Sequence, residues 1–186
     1  NRKASGIKAD ILKEIIQTTT FAISKDELKP ALTGVLFRFQ EKKLTVVATD
    51  GHRLVRYIRN DFEGKEFSGD VIIPKKFLNL MNTMLVANEN IQIWMGDNNL
   101  TANIGGDIIF TRIIDERFPD FESVIPTDND KEILVERSKL LSAVKRVSIF
   151  SNRSTQQIAL EISTEKTIVR TEDRSEEHTS ELQSLA

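Results

Sequence analysis

Within the stretch TVVATDGHRLVRYI, residues 45–58, a hydroxyl, a carboxylate, an imidazole and a guanidinium fall in five positions, Thr49 to Arg53. Such a group could act as a hydrolase, with Asp50 or His52 as general base and Arg53 clamping an anion. Asp-Gly between alternating apolar runs is also the strongest short-range signal for a β-hairpin, because both central residues of its turn need positive φ. The catalytic reading has no support elsewhere in the chain. There is no Gly-x-Ser-x-Gly elbow and no phosphate-cradling glycine loop, and three side chains on one turn point in different directions. With no cysteine and only His52 and His178, thiolate sites, disulfides and multi-histidine metal sites are excluded. No catalytic residue, metal or cofactor is assigned. His52 and Arg53 are instead expected to rim an apolar floor that takes a partner peptide.

Two further groups of residues could meet a partner. Lys8 and Lys13, Lys75 and Lys76, and Arg137, Lys139, Lys145 and Arg146 stand on or beside three helix candidates. They are either ordinary solvated faces or, if the helices share one face of a sheet, a positive stripe suited to phosphate contacts without base reading. Ile149 and Phe150 follow the third helix beyond its apolar face of Leu140, Leu141, Val144 and Val147. Core packing at the helix end and an exposed subunit contact are both open.

The elements that must position these residues are legible from periodicity. A helix is predicted over Ala9–Thr18, with Leu12, Ile15 and Ile16 on one face. GVLFRF (34–39) and LTVVAT (44–49) read as a hairpin, and 52–58 as a third strand. A short strand then leads through Pro74 into a helix burying Phe77, Leu78, Met81 and Leu85. IQIWMGDNNLTANI is a second hairpin and IIFTRII a further strand. Slid by 56 residues without gaps, Leu44 falls on Leu100, Arg56 on Arg112, Ile58 on Ile114, and His52 and Arg53 on Ile108 and Ile109. Because that offset also keeps the same strand face apolar, it reads as an internal repeat. By this alignment the fold does not need a charged pair at 52 and 53. A third copy starts later, with Lys43 on Lys166 and Asp50 on Asp173 at an offset of 123. The chain is therefore expected to hold three copies of one β-α-β-β-β unit in an α+β fold, two making a domain and the third opening another.

Composition bounds the rest. The 186 residues carry a net charge of −2, so nucleic-acid binding would have to depend on local patches or on topology. No apolar run reaches the roughly 20 residues of a membrane span. The amino end has no secretory signal, and a cytoplasmic location is expected. A chain that opens on Asn1 rather than Met is read as a fragment. Residues 174–186, RSEEHTSELQSLA, lack apolar periodicity and are not expected to continue the third copy; they resemble translated sequencing adapter, a non-native tail.

Several motifs together resemble the bacterial DNA polymerase III beta subunit family, the replication sliding clamps. ATDGHRL is similar to that family's hallmark, ERFPDFESVIP (116–126) to its RFPDY segment and interdomain linker, VIIPKKFLNLM to its second-helix region and SIFSN to its third-domain helix end. The resemblance implies a DNA-clamp fold, with antiparallel sheets outside and helices on one face lining a channel. It divides the chain into the end of a linker (1–6), a middle domain (7–126) and the start of a third domain (127–173). It implies a processivity factor without catalysis that encircles double-stranded DNA regardless of sequence, with polymerase, clamp loader and other clients as partners and a homodimer as the complete ring. A peptide pocket would include Leu32, Thr49, Gly51, His52, Arg53, Leu54, Pro119 and Val124 and take short apolar, glutamine-containing motifs. Lys75 and Lys76 would line the channel; Ile149 and Phe150 would contribute to the ring-closing interface. The sequence departs from the pattern at Ser123, where some members carry arginine, and at Thr155, where an aromatic occurs.

Overall fold

The computed structural model describes residues 3–62, 68–152, 155–163, 166–173 and 176–183. They fall into two compact units, Asn1–Ile125 and Pro126–Ala186.

In the first unit, β1 (Lys3–Lys8) runs into α1 (Ala9–Thr19), a 3-10 turn (Thr20–Ala22) and a second such turn (Pro30–Thr33). The strands β2 (Gly34–Phe39), β3 (Leu44–Thr49) and β4 (Leu54–Arg59) follow. The second copy repeats the order as β5 (Gly69–Pro74), α2 (Lys75–Met84), β6 (Asn90–Met95), β7 (Asn99–Ile104) and β8 (Asp107–Arg112). Two antiparallel sheets result, ordered β4-β3-β2-β5 and β1-β6-β7-β8. The strand before each helix thus joins the other copy's sheet, and the copies interlock into one α+β unit. α1 buries Leu12, Ile15 and Ile16 and α2 buries Phe77, Leu78 and Met81, separations of three and four that put one apolar stripe of each helix on the core. Both stripes pack with Val35, Phe37, Val46, Ala48, Ile91, Leu100 and Ala102 from the sheets.

The β4-β3-β2-β5 sheet is covered on its outer face as well. Leu36, Val47 and Ile72 point away from the main core and pack with Phe121, flanked by Ala31, Leu54, Ile114, Phe118 and Ile125. An Ile114 N–H bond to the Ile72 carbonyl at 3.0 Å starts this cover. Burial on both faces explains the continuous apolar runs of β2 and β3, where β7 alternates.

The hairpins correct the ungapped alignment. Val46 faces Tyr57 across the first, and Ala102 faces Ile109 across the second. Tyr57 and Ile109 both pack on the core, so Ile109 is the counterpart of Tyr57 rather than of Arg53. Between these equivalent pairs the second hairpin is four residues shorter, two of them lost from the connection itself, and the strand predicted from residue 52 begins at Leu54. His52 and Arg53 lie in a four-residue loop where the second copy has only the turn Gly105–Gly106.

In the second unit, α3 (Arg137–Ser148) packs Ala143 and Val147 on Val169 of a sheet ordered β11-β10-β9, with β9 at Ala159–Ile162 and β10 at Lys166–Asp173. The offset of 123 holds here in register: Arg38 pairs with Thr45 in the first copy, and Glu161 with Ile168 in the third. It also carries into 176–183. The Thr49–Leu54 pair corresponds to Glu172–Glu177, and β11 (Glu176–Gln183) occupies the place of β4. The expected tail therefore contains a strand; ladder pairing uses backbone groups, which any sequence without proline supplies. Among the described residues of this unit no strand precedes α3, and Ile133 and Leu134 there are exposed. In the first unit the equivalent strand pairs with the following copy.

Candidate partner-binding site

The connection from β3 to β4 is built by Asp50. Its Oδ1 accepts the backbone N–H groups of His52 and Arg53, both at 3.0 Å, and its Oδ2 accepts Arg53 Nε–H at 2.9 Å. Thr49 Oγ1 accepts the Gly51 N–H at 3.1 Å and donates to the Arg53 carbonyl at 2.8 Å. Only Gly51 takes a positive φ, +91°, while Asp50 does not. The two-residue primed turn expected from Asp-Gly is thus replaced by a four-residue loop organised by side chains as Asx and Thr turns.

These bonds decide the chemistry of Asp50. The Arg53 N–H first, then the His52 N–H, hold its carboxyl down at about 2. A carboxylate that weakly basic, with both oxygens already engaged, is a poor general base at neutral pH. Arg53 stays largely outside, its side chain 63% exposed, and its guanidinium carbon lies 6.0 Å from the centre of the Phe21 ring. His52 and Gly51 are exposed too.

Leu54 leaves the loop to pack into the outer-face cluster with Phe121 and Ile125. Ala31, in the same cluster, adjoins Leu32, which is buried and accepts the Ser24 N–H at 2.9 Å. Pro119 and Val124 belong to the covering segment and are exposed, Val124 at 66%. This cluster therefore links the expected residues, joining Thr49–Leu54, the turn carrying Leu32 and the segment carrying Pro119 and Val124. Ser123 Oγ donates to the Asp120 carbonyl at 2.9 Å.

Phe21 and Arg38 have roles that local pattern did not reveal. Arg38, opposite Asp70 in the β2-β5 register, makes two 2.9 Å hydrogen bonds to that carboxylate. It also reaches Glu122 at 3.5 Å and sits 5.0 Å over the Phe121 ring, fastening the cover to the sheet. A cavity of about 420 Å³ beside it is lined by Leu36, Ile72, Phe118 and Pro119 with Arg38 and Asp70; of the expected pocket residues it includes Pro119 alone. An apolar residue just past the end of an amphipathic helix is the only sequence signal that could have drawn attention to Phe21.

Some of the basic residues sit at helix starts, while Lys13 lies within α1 and Lys145 and Arg146 in the last turn of α3. Lys8 ends β1 at the cap of α1, Lys75 and Lys76 open α2, and Arg137 opens α3. The first turn of α2 has no acidic residue and no side-chain cap. Lys13, Lys76, Lys145 and Arg146 are exposed, Lys75 is half-buried, and Lys139 pairs with Glu136 at 3.2 Å. Ile149 and Phe150 are 77% and 47% exposed within their unit, so core packing does not account for them.

Comparison with known proteins places this geometry. The profile for the DNA polymerase III beta subunit, central domain, matches residues 6–120, and that for its C-terminal domain matches 122–184. The beta sliding clamp of Chlamydia muridarum is 33% identical over 159 residues, covering 84% of this chain and 43% of that protein. The beta sliding clamp of Escherichia coli K12 is 32% identical over 154 residues, 82% of this chain and 42% of its own length. Among solved structures, the DNA polymerase sliding clamp of Pseudomonas aeruginosa superposes with a TM-score of 0.89 at 27% identity, over 97% of this chain and 50% of that one. A Bartonella birtlesii sliding clamp bound to griselimycin gives 0.87 at 29%, over the same shares. The chain thus spans about two fifths of the curated relatives and half of the solved ones.

Proposed function

Because this chain belongs to the DNA polymerase III beta subunit family, we propose that it serves DNA replication as part of a sliding clamp that encircles duplex DNA and tethers the polymerase. The match of both family profiles, across 6–120 and 122–184, carries the reading. Tethering needs no catalytic group; it raises the effective concentration of the polymerase at the primer end.

The peptide pocket is read at the Thr49–Leu54 loop with Leu32, Pro119 and Val124. Its support is a preformed rim beside an apolar cluster, with exposed His52 and Arg53 doing nothing for the core. The DNA-facing role of the basic residues is supported at α2. Two lysines in a helix's first turn lie against the positive end of its dipole, a local cost that a bound phosphate would reverse. Lys8, Lys13, Lys139, Lys145 and Arg146 extend the same reading, and the exposed Ile149 and Phe150 suit the contact that closes a homodimeric ring. The clamp loader and other clients, a cytoplasmic setting, the boundaries at 6, 126 and 173 and a non-native origin of 174–186 belong to the same proposal.

The test uses the full-length subunit. His52→Ala with Arg53→Ala is expected to weaken a labelled polymerase peptide by about tenfold, as loss of a charged hydrogen-bonding group at an interface does, while loading on primed circular DNA persists. Unchanged peptide affinity would sink the pocket. Lys75→Glu with Lys76→Glu should abolish loading at moderate salt and spare peptide binding; full loading would remove the DNA-facing assignment. Griselimycin, present in the Bartonella relative, should displace the peptide if both use this site.

A further inference from the structure

The loop that presents Arg53 is built so that the guanidinium does not wander. Its Nε–H is bound to Asp50 Oδ2 at 2.9 Å, and its carbon lies 6.0 Å from the Phe21 ring centre. Phe21 comes from a different element, the 3-10 turn after α1, and is 57% exposed. Exposure of that size gives the ring no full place in the core. A flexible, charged side chain fixed at two points has surrendered much of its rotamer entropy before a partner arrives. Among the described residues, neither Nη nitrogen has a hydrogen-bond partner. The held guanidinium therefore keeps its terminal N–H groups for something outside the chain.

We propose that Phe21 and Asp50 are positioning residues for the partner-peptide site: together they hold Arg53 so that its terminal N–H groups meet a neutral oxygen acceptor, an amide carbonyl of the peptide. Neutrality follows from the pairing. Asp50 cancels the charge of Arg53 locally, so the guanidinium offers directed hydrogen bonds rather than net positive potential, and a carboxylate gains little over an amide. The inference rests on the pocket reading above and adds two residues outside it.

The experiment measures a fluorescein-labelled peptide with a glutamine followed by apolar residues on the full-length subunit. Phe21→Leu keeps apolar bulk and removes the π face; affinity should fall about two- to fivefold, the range of an exposed cation–π contact, and Phe21→Trp should restore it. In an Arg53→Ala background Phe21→Leu should cost nothing more. An equal loss in that background means Phe21 touches the peptide itself and overturns positioning, as does no loss in the parent. Replacing the peptide's glutamine by glutamate should not strengthen binding unless Asp50→Asn is also present; a stronger glutamate peptide on the parent overturns the neutral-acceptor assignment. An Arg53→Ala variant with full affinity would remove the pocket reading. The clamp is read separately from the Arg53 Nε–H resonance, whose shift should change with Phe21→Leu and whose exchange should quicken with Asp50→Asn. A resonance that ignores both substitutions overturns it whatever the peptide does.

Discussion

At the scale of single residues, Asp50 and Gly51 carry the loop by different means. Gly51 holds φ at +91°, where a Cβ has free space yet the backbone is strained for any L side chain. Gly51→Ala should therefore lower stability by about 1 kcal/mol without a steric clash, measurable by thermal unfolding. Asp50 gives a pH signature. Its carboxyl falls from an ordinary 3.8 to about 2, so the native loop binds the proton more weakly than the unfolded chain does. Its contribution is complete above roughly pH 4 and is lost as pH falls through the native value. Asp50→Asn should flatten that acid limb in denaturation curves between pH 4 and pH 2; an unchanged limb would show that the loop's bonds do not set it. The residue types at 49–53 were evident as a cluster beforehand, but their roles were not. A carboxylate three positions from a guanidinium suits catalysis, binding or capping equally, and only the direction of each N–H separates these.

At the scale of elements, apolar runs located β2 and β3, which are buried on both faces, and a 3.6-residue stripe located α1 to within one residue. Periodicity misplaced the start of β4. A gapless repeat cannot register a hairpin four residues longer in one copy, and the strand pairing reveals it. The cover over the outer sheet face was equally hidden, since Phe121 reaches its partners through long-range packing. Phe121 is 3% exposed and meets Leu36, Val47 and Ile72. Phe121→Ala should cost about 3 kcal/mol in urea denaturation and also weaken peptide binding, because Leu54 packs on the same cluster. Arg38→Ala, which removes a partly exposed ion pair and a ring contact, should cost about 1 kcal/mol. If Phe121→Ala destabilises while peptide affinity holds, the cluster supports the fold and not the site.

At the scale of the whole molecule, the two units are joined through an exposed stretch without helix or strand. Lys131 lies in it with its side chain 92% exposed. Brief trypsin treatment should cut there first and release the first unit with its two sheets intact, as mass spectrometry of the products would show; initial cuts inside α1 or β2 would contradict the division. The sequence alone determined that this chain repeats an α+β unit and which faces are apolar, because burial writes a period of two or 3.6 into the residues locally. It also carried the family resemblance, through short motifs. Tertiary structure decided what periodicity cannot encode. The strand before each helix of the first unit serves the other copy's sheet. Residues 176–183 take the place of β4 through backbone pairing, which leaves no side-chain pattern. Phe21 lies beneath Arg53, 32 positions away in sequence, because the 3-10 turn after α1 and the β3-β4 loop meet only once the chain has folded.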